Sequence, residues 1–103
     1  MYNKITKQAA QRLSQADIKT HLTKLPGWTL KDGSITKDFE LKDFEKTWSF
    51  LNRVAMRSHL WGHHPTILTT YNKVCITLTT HDIGGVSDID VKLAKRINGY
   101  EHD

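Results

Sequence analysis

Apolar and polar positions alternate along the chain with two periods, one helical and one extended. Ser14-Gln-Ala-Asp17 has the spacing of a capping box, in which a hydroxyl and a carboxylate take up free backbone N–H groups. It predicts a helix running to about Lys24, stopped by Leu25-Pro26-Gly27. Trp28–Lys31 and Ser34–Glu40 read as strands joined at Asp32-Gly33, a pair that supplies the positive φ angles of a tight hairpin turn. Asp43 is placed to cap a second helix, along which Phe44, Trp48, Leu51 and Ala55 form one stripe at helical spacing. That stripe is expected to face the core. Thr47, Phe50, Val54 and Trp61 also fall at helical spacing. The surplus apolar face predicts a helix packed on two sides, the second against another subunit.

Gly62 and Pro65 end this helix. Thr66–Thr70 and Lys73–Thr79 read as strands around a Tyr71-Asn72 turn, and in the latter Val74, Ile76 and Leu78 alternate with more polar residues. Beyond Gly84-Gly85, Ser87-Asp88-Ile89-Asp90 is a second capping box, and the last helix carries Ile89, Leu93, Ile97 and Tyr100 on one face. The order is α-β-β-α-β-β-α. Hairpins imply antiparallel pairing, so the expected fold is α+β, a four-stranded antiparallel sheet with helices packed on one face.

Length and composition narrow the class. The chain has 103 residues, 38% hydrophobic and 25% charged, which suits one domain over residues 14–103 behind a basic arm at 1–13. That arm carries Lys4, Lys7 and Arg12 and no acid, a composition that fits either a solvated leader to the first helix or a mitochondrial transit segment. The expected location is cytoplasmic, with mitochondrial as the alternative. No apolar run is long enough to span a membrane. Cys75 is the sole cysteine, so no internal disulfide forms, and it has no activating neighbour in sequence. The net charge of +4 is dispersed, which reads as a soluble basic surface rather than a nucleic-acid footprint.

The chemistry concentrates in the histidines. There are six, and His59, His63 and His64 lie within six positions at a helix-to-strand junction. A hairpin of the third and fourth strands places His63 and His64, which precede one strand, beside His81, which follows the other. Imidazoles both accept and donate protons near neutral pH, as loss of water requires. A metal site is the rival reading, with His59 and His63 one helical turn apart and His81 as a third ligand. Asp90 is explained by helix capping alone, Asp82 by a turn, and Tyr71 by turn packing or a wall for a flat ligand. His21 and His102 read as surface residues. No phosphate loop, dinucleotide fingerprint or nucleophile elbow is present.

Several segments together resemble the pterin-4a-carbinolamine dehydratases. They are His63-His64-Pro65, Tyr71-Asn72-Lys73-Val74, Ile76–Asp82, Gly84-Gly85 and Asp90–Ala94, with Leu25–Trp28 and Phe39-x-x-Lys42-Asp43-Phe44 before them. The resemblance implies dehydration of 4a-hydroxytetrahydropterin to quinonoid dihydropterin, recycling the cofactor of aromatic amino-acid hydroxylases, with no metal or other cofactor. It implies a homodimer or homotetramer with joined sheets and bundled central helices. Some vertebrate members also stabilise a homeodomain transcription factor, so a binding module using the central-helix apolar face is the alternative function. By the resemblance, His64 binds the pterin near its 4a-hydroxyl, and His63 and His81 are the general acid and base. His59, Pro65, Asp82 and Asp90 are the supporting positions. Two departures stand out: His59 occupies a position commonly acidic in the family, and Trp61-Gly62 replaces a polar pair.

Overall fold

Asp32 and Gly33 adopt φ of 51° and 77°, the left-handed pair that a two-residue hairpin needs, and the chain reverses there. The computed structural model describes residues 10–102; residues 1–9 of the basic arm lie outside them. The elements are α1 (Gln15–Leu22), β1 (Thr29–Lys31), β2 (Ser34–Glu40), α2 (Phe44–Leu60), β3 (Thr66–Thr70), β4 (Lys73–Leu78) and α3 (Asp88–Tyr100). A single 3-10 turn, His81–Ile83, which periodicity does not reveal, joins β4 to α3. Helix α1 ends before Lys24 because its last turn tightens into bonds from Thr23, Lys24 and Leu25 to carbonyls three residues back. Strand β4 stops one residue short of Thr79, whose hydroxyl donates instead to the Gly33 carbonyl.

The four strands form one antiparallel sheet in the order β1-β2-β4-β3. Ile35, Phe39, Val74, Ile76 and Leu78 face the helices, and Ile18, Phe50, Leu51, Val54, Leu93, Ala94 and Ile97 close over them. Lys37 also turns to the helix side. Its ammonium donates to the Pro26 carbonyl, Asn98 Oδ1 and Glu101 Oε1, three acceptors for three N–H groups. Residues 11–13 are tied to the start of α3: Gln11 N–H donates to Asp88 Oδ1, Asp88 N–H to the Gln11 carbonyl, and Leu13 N–H to the Val86 carbonyl. Among the described residues no helix is long and apolar enough to cross a membrane.

Helix α2 corrects the expectation for its faces. Leu51 is buried as expected, but Phe44 and Trp48 are 52% and 45% exposed, and Ala55 is exposed. The set read as surplus turns inward: Thr47, Phe50 and Val54 are buried, and Trp61 is half-buried against the core. Both stripes have helical spacing, and spacing alone does not rank them. The sheet does, because Phe39 on β2 offers its ring to Phe50 at 5.0 Å and Trp28 closes the stack behind it. Thr47 enters the core without loss because its hydroxyl donates to the Asp43 carbonyl one turn back. Phe50, as part of the core, is expected to lose about 3–5 kcal/mol of unfolding free energy on Phe50→Ala. Urea denaturation checks this, and a loss under about 1 kcal/mol would contradict the inward placement.

Candidate active site

The histidine segment begins where α2 ends. Gly62 has φ of 65°, its N–H bonds the His59 carbonyl, and the N–H of His63 bonds the Ser58 carbonyl at 2.9 Å. This is the Schellman arrangement, which satisfies the last helical carbonyls by way of one left-handed residue. Glycine meets that need without a Cβ clash. The consequence is positional: the backbone of His63 is pinned to the helix end before Pro65 leads into β3.

His63 then meets Asp90. Its Nε2 lies 2.5 Å from Asp90 Oδ1, and the carboxylate has no exposed surface while the imidazole is 14% exposed. The other carboxylate oxygen accepts from the Ser87 N–H at 2.9 Å and from the Thr80 hydroxyl at 2.9 Å. Thr80 and Ser87 hydroxyls are 2.6 Å apart. Asp90 therefore does two jobs at once. Oδ2 completes the capping box of α3, and Oδ1 orients an imidazole from the far end of α2. A carboxylate only accepts, so Nε2 of His63 carries the hydrogen, and Nδ1 is the nitrogen left to exchange a proton.

The remaining positions lie outside this hydrogen-bonded pair. His64 is exposed, and its ring centroid lies 5.9 Å from that of His59, which is exposed in the last turn of α2. Pro65 is half-buried ahead of β3. The β3–β4 register, Thr66 opposite Thr77, brings the start of β3 beside the end of β4, as the hairpin argument requires. His81 follows there, exposed, at the head of the 3-10 turn, and Asp82 is exposed in the same turn, outside the His63–Asp90 network. Among the described residues no three His, Cys, Asp or Glu side chains are grouped to hold a metal ion, so His59, His63 and His81 do not form the three-ligand set considered from spacing. A cavity of about 670 Å³ opens between Arg12, Ile18, Leu30, Asp32 and Val86, and none of the histidines lines it.

Residues 11–100 match the family model described as pterin 4 alpha carbinolamine dehydratase. The chain belongs to the pterin-4a-carbinolamine dehydratase family. A relative from Saccharomyces cerevisiae, provisionally named pterin-4-alpha-carbinolamine dehydratase, is 44% identical over 114 residues, covering 97% of this chain and 95% of its own. One from Sulfurisphaera tokodaii with the same provisional name is 43% identical over 88 residues, 85% of this chain and 95% of its own. The solved structure of a transcriptional coactivator/pterin dehydratase from Brucella melitensis superposes with a TM-score of 0.86 at 33% identity, covering 88% of this chain and 99% of that one. A pterin dehydratase-like protein identified as a RuBisCO assembly factor in the alpha-carboxysome superposes with a TM-score of 0.60 at 25% identity, covering 72% and 86%.

Sequence reasoning missed Thr80 and Ser87 as parts of the site. The signal was present, since a hydroxyl residue beside a motif histidine and an N-cap serine both sit within reach of Asp90 once the hairpin and the capping box are drawn together. Asp90→Ala leaves the His63 imidazole, the Thr80 hydroxyl and the Ser87 N–H without their acceptor. The expected loss is about 2–4 kcal/mol of unfolding free energy, measured by urea denaturation.

Proposed function

We propose that the chain dehydrates 4a-hydroxytetrahydropterin to quinonoid dihydropterin and water. The observation that carries this reading is a buried carboxylate, Asp90, bonded to Nε2 of His63, within a family named for that reaction. A base removes the proton from the ring N–H beside C4a, the C4a–N double bond forms, and the C4a–O bond breaks. The departing hydroxyl takes a proton from an acid and leaves as water. One proton is taken and one is given, and no electrons are exchanged with an outside partner, so side-chain acids and bases suffice. His63 and His81 are proposed for these roles, and His64 for holding the pterin near the hydroxyl. His59, ring to ring with His64, places a second imidazole where the family commonly has an acid.

Purified protein is expected to accelerate dehydration of chemically generated 4a-hydroxytetrahydropterin. The double variant His63→Ala/His81→Ala should lower kcat by roughly 10²- to 10⁴-fold. His64→Ala should act mainly on KM. A folded double variant at the full rate would remove these histidines from the mechanism.

A second copy of the chain is proposed to cover the outer face of α2. Phe44 stacks on Tyr71 at 6.2 Å and meets Trp48 edge-on at 6.3 Å, so three exposed aromatic rings form one cluster on that face. Tyr71 is held at φ of 51°, a conformation costly for a residue with a Cβ, and presents its ring there. The proposed partner surface thus differs from the one inferred from spacing: Phe44, Trp48 and Tyr71 in place of Phe50, Val54 and Trp61. Light scattering should show the wild type as a homo-oligomer and Trp48→Asp at lower mass. A wild-type monomer would leave the face to a foreign partner.

A further inference from the structure

We propose that Thr80 is a positioning residue: its hydroxyl, backed by Ser87, fixes the Asp90 carboxylate so that His63 is held as the Nε2–H tautomer with Nδ1 toward the substrate. The kinetic part of this proposal rests on the dehydratase reading, and the tautomer part does not.

The hydrogen count decides the direction of each bond. Thr80 has one hydroxyl hydrogen, and it goes to Asp90 Oδ2 at 2.9 Å because a carboxylate has none to give. The 2.6 Å contact between the two hydroxyls must then use the hydrogen of Ser87. Donation runs one way, from Ser87 to Thr80 to Asp90, and His63 donates to Asp90 from the other side. Thr80, Ser87 and Asp90 are 7%, 0% and 0% exposed, so water does not substitute for a missing member. Oδ2 keeps the Ser87 N–H when the Thr80 hydroxyl is removed, so what Thr80 adds is a second donor on that oxygen, which narrows rotation about Cβ–Cγ and with it the plane of the imidazole bound at Oδ1.

Thr80 is itself immobile. It pairs with Gly85 through two backbone bonds, Thr80 N–H to the Gly85 carbonyl at 2.8 Å and the return bond at 3.3 Å. It also immediately precedes His81. One residue therefore fixes the carboxylate that orients His63 and starts the turn that carries His81, coupling two imidazoles that belong to different elements. Thr80→Val keeps the shape and the β-branched backbone preference and removes only the hydroxyl. Ser87 Oγ, 3.5 Å from Asp90 Oδ2, is too far to replace it without moving.

The test uses the full chain labelled with ¹⁵N-histidine, at a pH where the ¹⁵N shifts themselves show the His63 ring to be neutral. Long-range ¹H–¹⁵N correlation reads the tautomer, and His63→Gln identifies the His63 signals by their loss. The wild type is expected to show hydrogen on Nε2. Thr80→Val should show a mixture of tautomers and a kcat lower by on the order of tenfold with KM within about twofold, and Thr80→Ser should restore both. A wild-type His63 protonated on Nδ1 overturns the proposal, as does Thr80→Val with unchanged tautomer and rate. If the tautomer responds as expected but the wild type shows no dehydration, the positioning role stands and the dehydratase reading falls.

Discussion

A carboxylate with no exposed surface has to be surrounded by donors, and the donors around Asp90 come from three parts of the chain. Ser87 caps the start of α3, Thr80 precedes the 3-10 turn that follows β4, and His63 lies at the exit of α2. Burying that charge without them would cost more than a domain of this size has to spare. The same requirement that stabilises α3 thereby draws a histidine from a remote helix end to a fixed place. The placement of the His63 imidazole is, in this chain, a by-product of satisfying a helix cap.

The central helix shows the complementary constraint. Its two apolar stripes compete for one sheet surface, and the sheet accepts the one whose Phe50 fits the Phe39–Trp28 stack. The rejected stripe is left facing outward with Phe44 and Trp48, and Tyr71 joins it from the β3–β4 turn. An exposed aromatic cluster of this kind lies on a different part of α2 from the Gly62–His64 exit. The surface proposed for assembly and the histidines proposed for catalysis therefore lie at opposite ends of one helix.

The candidate site was half legible. His63, His64 and His81 could be brought to one end of the sheet because hairpin pairing follows from turn chemistry and alternation, both local properties. Asp90 was legible as a cap for the same reason. Its bond to His63 was not, since the two residues are joined by no periodicity and meet only after α2, the hairpin and α3 have packed. The inward Lys37 was equally hidden: alternation on β2 predicts an apolar residue there, and only the Pro26, Asn98 and Glu101 acceptors make a lysine acceptable.

From its own residues the chain determined which segments become helix or strand, where they turn, and in what order they follow, because caps, left-handed glycines and side-chain periods act over a few residues. Tertiary structure alone decided which face of α2 is core, that the capping carboxylate of α3 also grips His63, and that Thr80 stands behind it. Burial and the pairing of buried polar atoms depend on neighbours distant in the chain, and those neighbours exist only once the layers have closed.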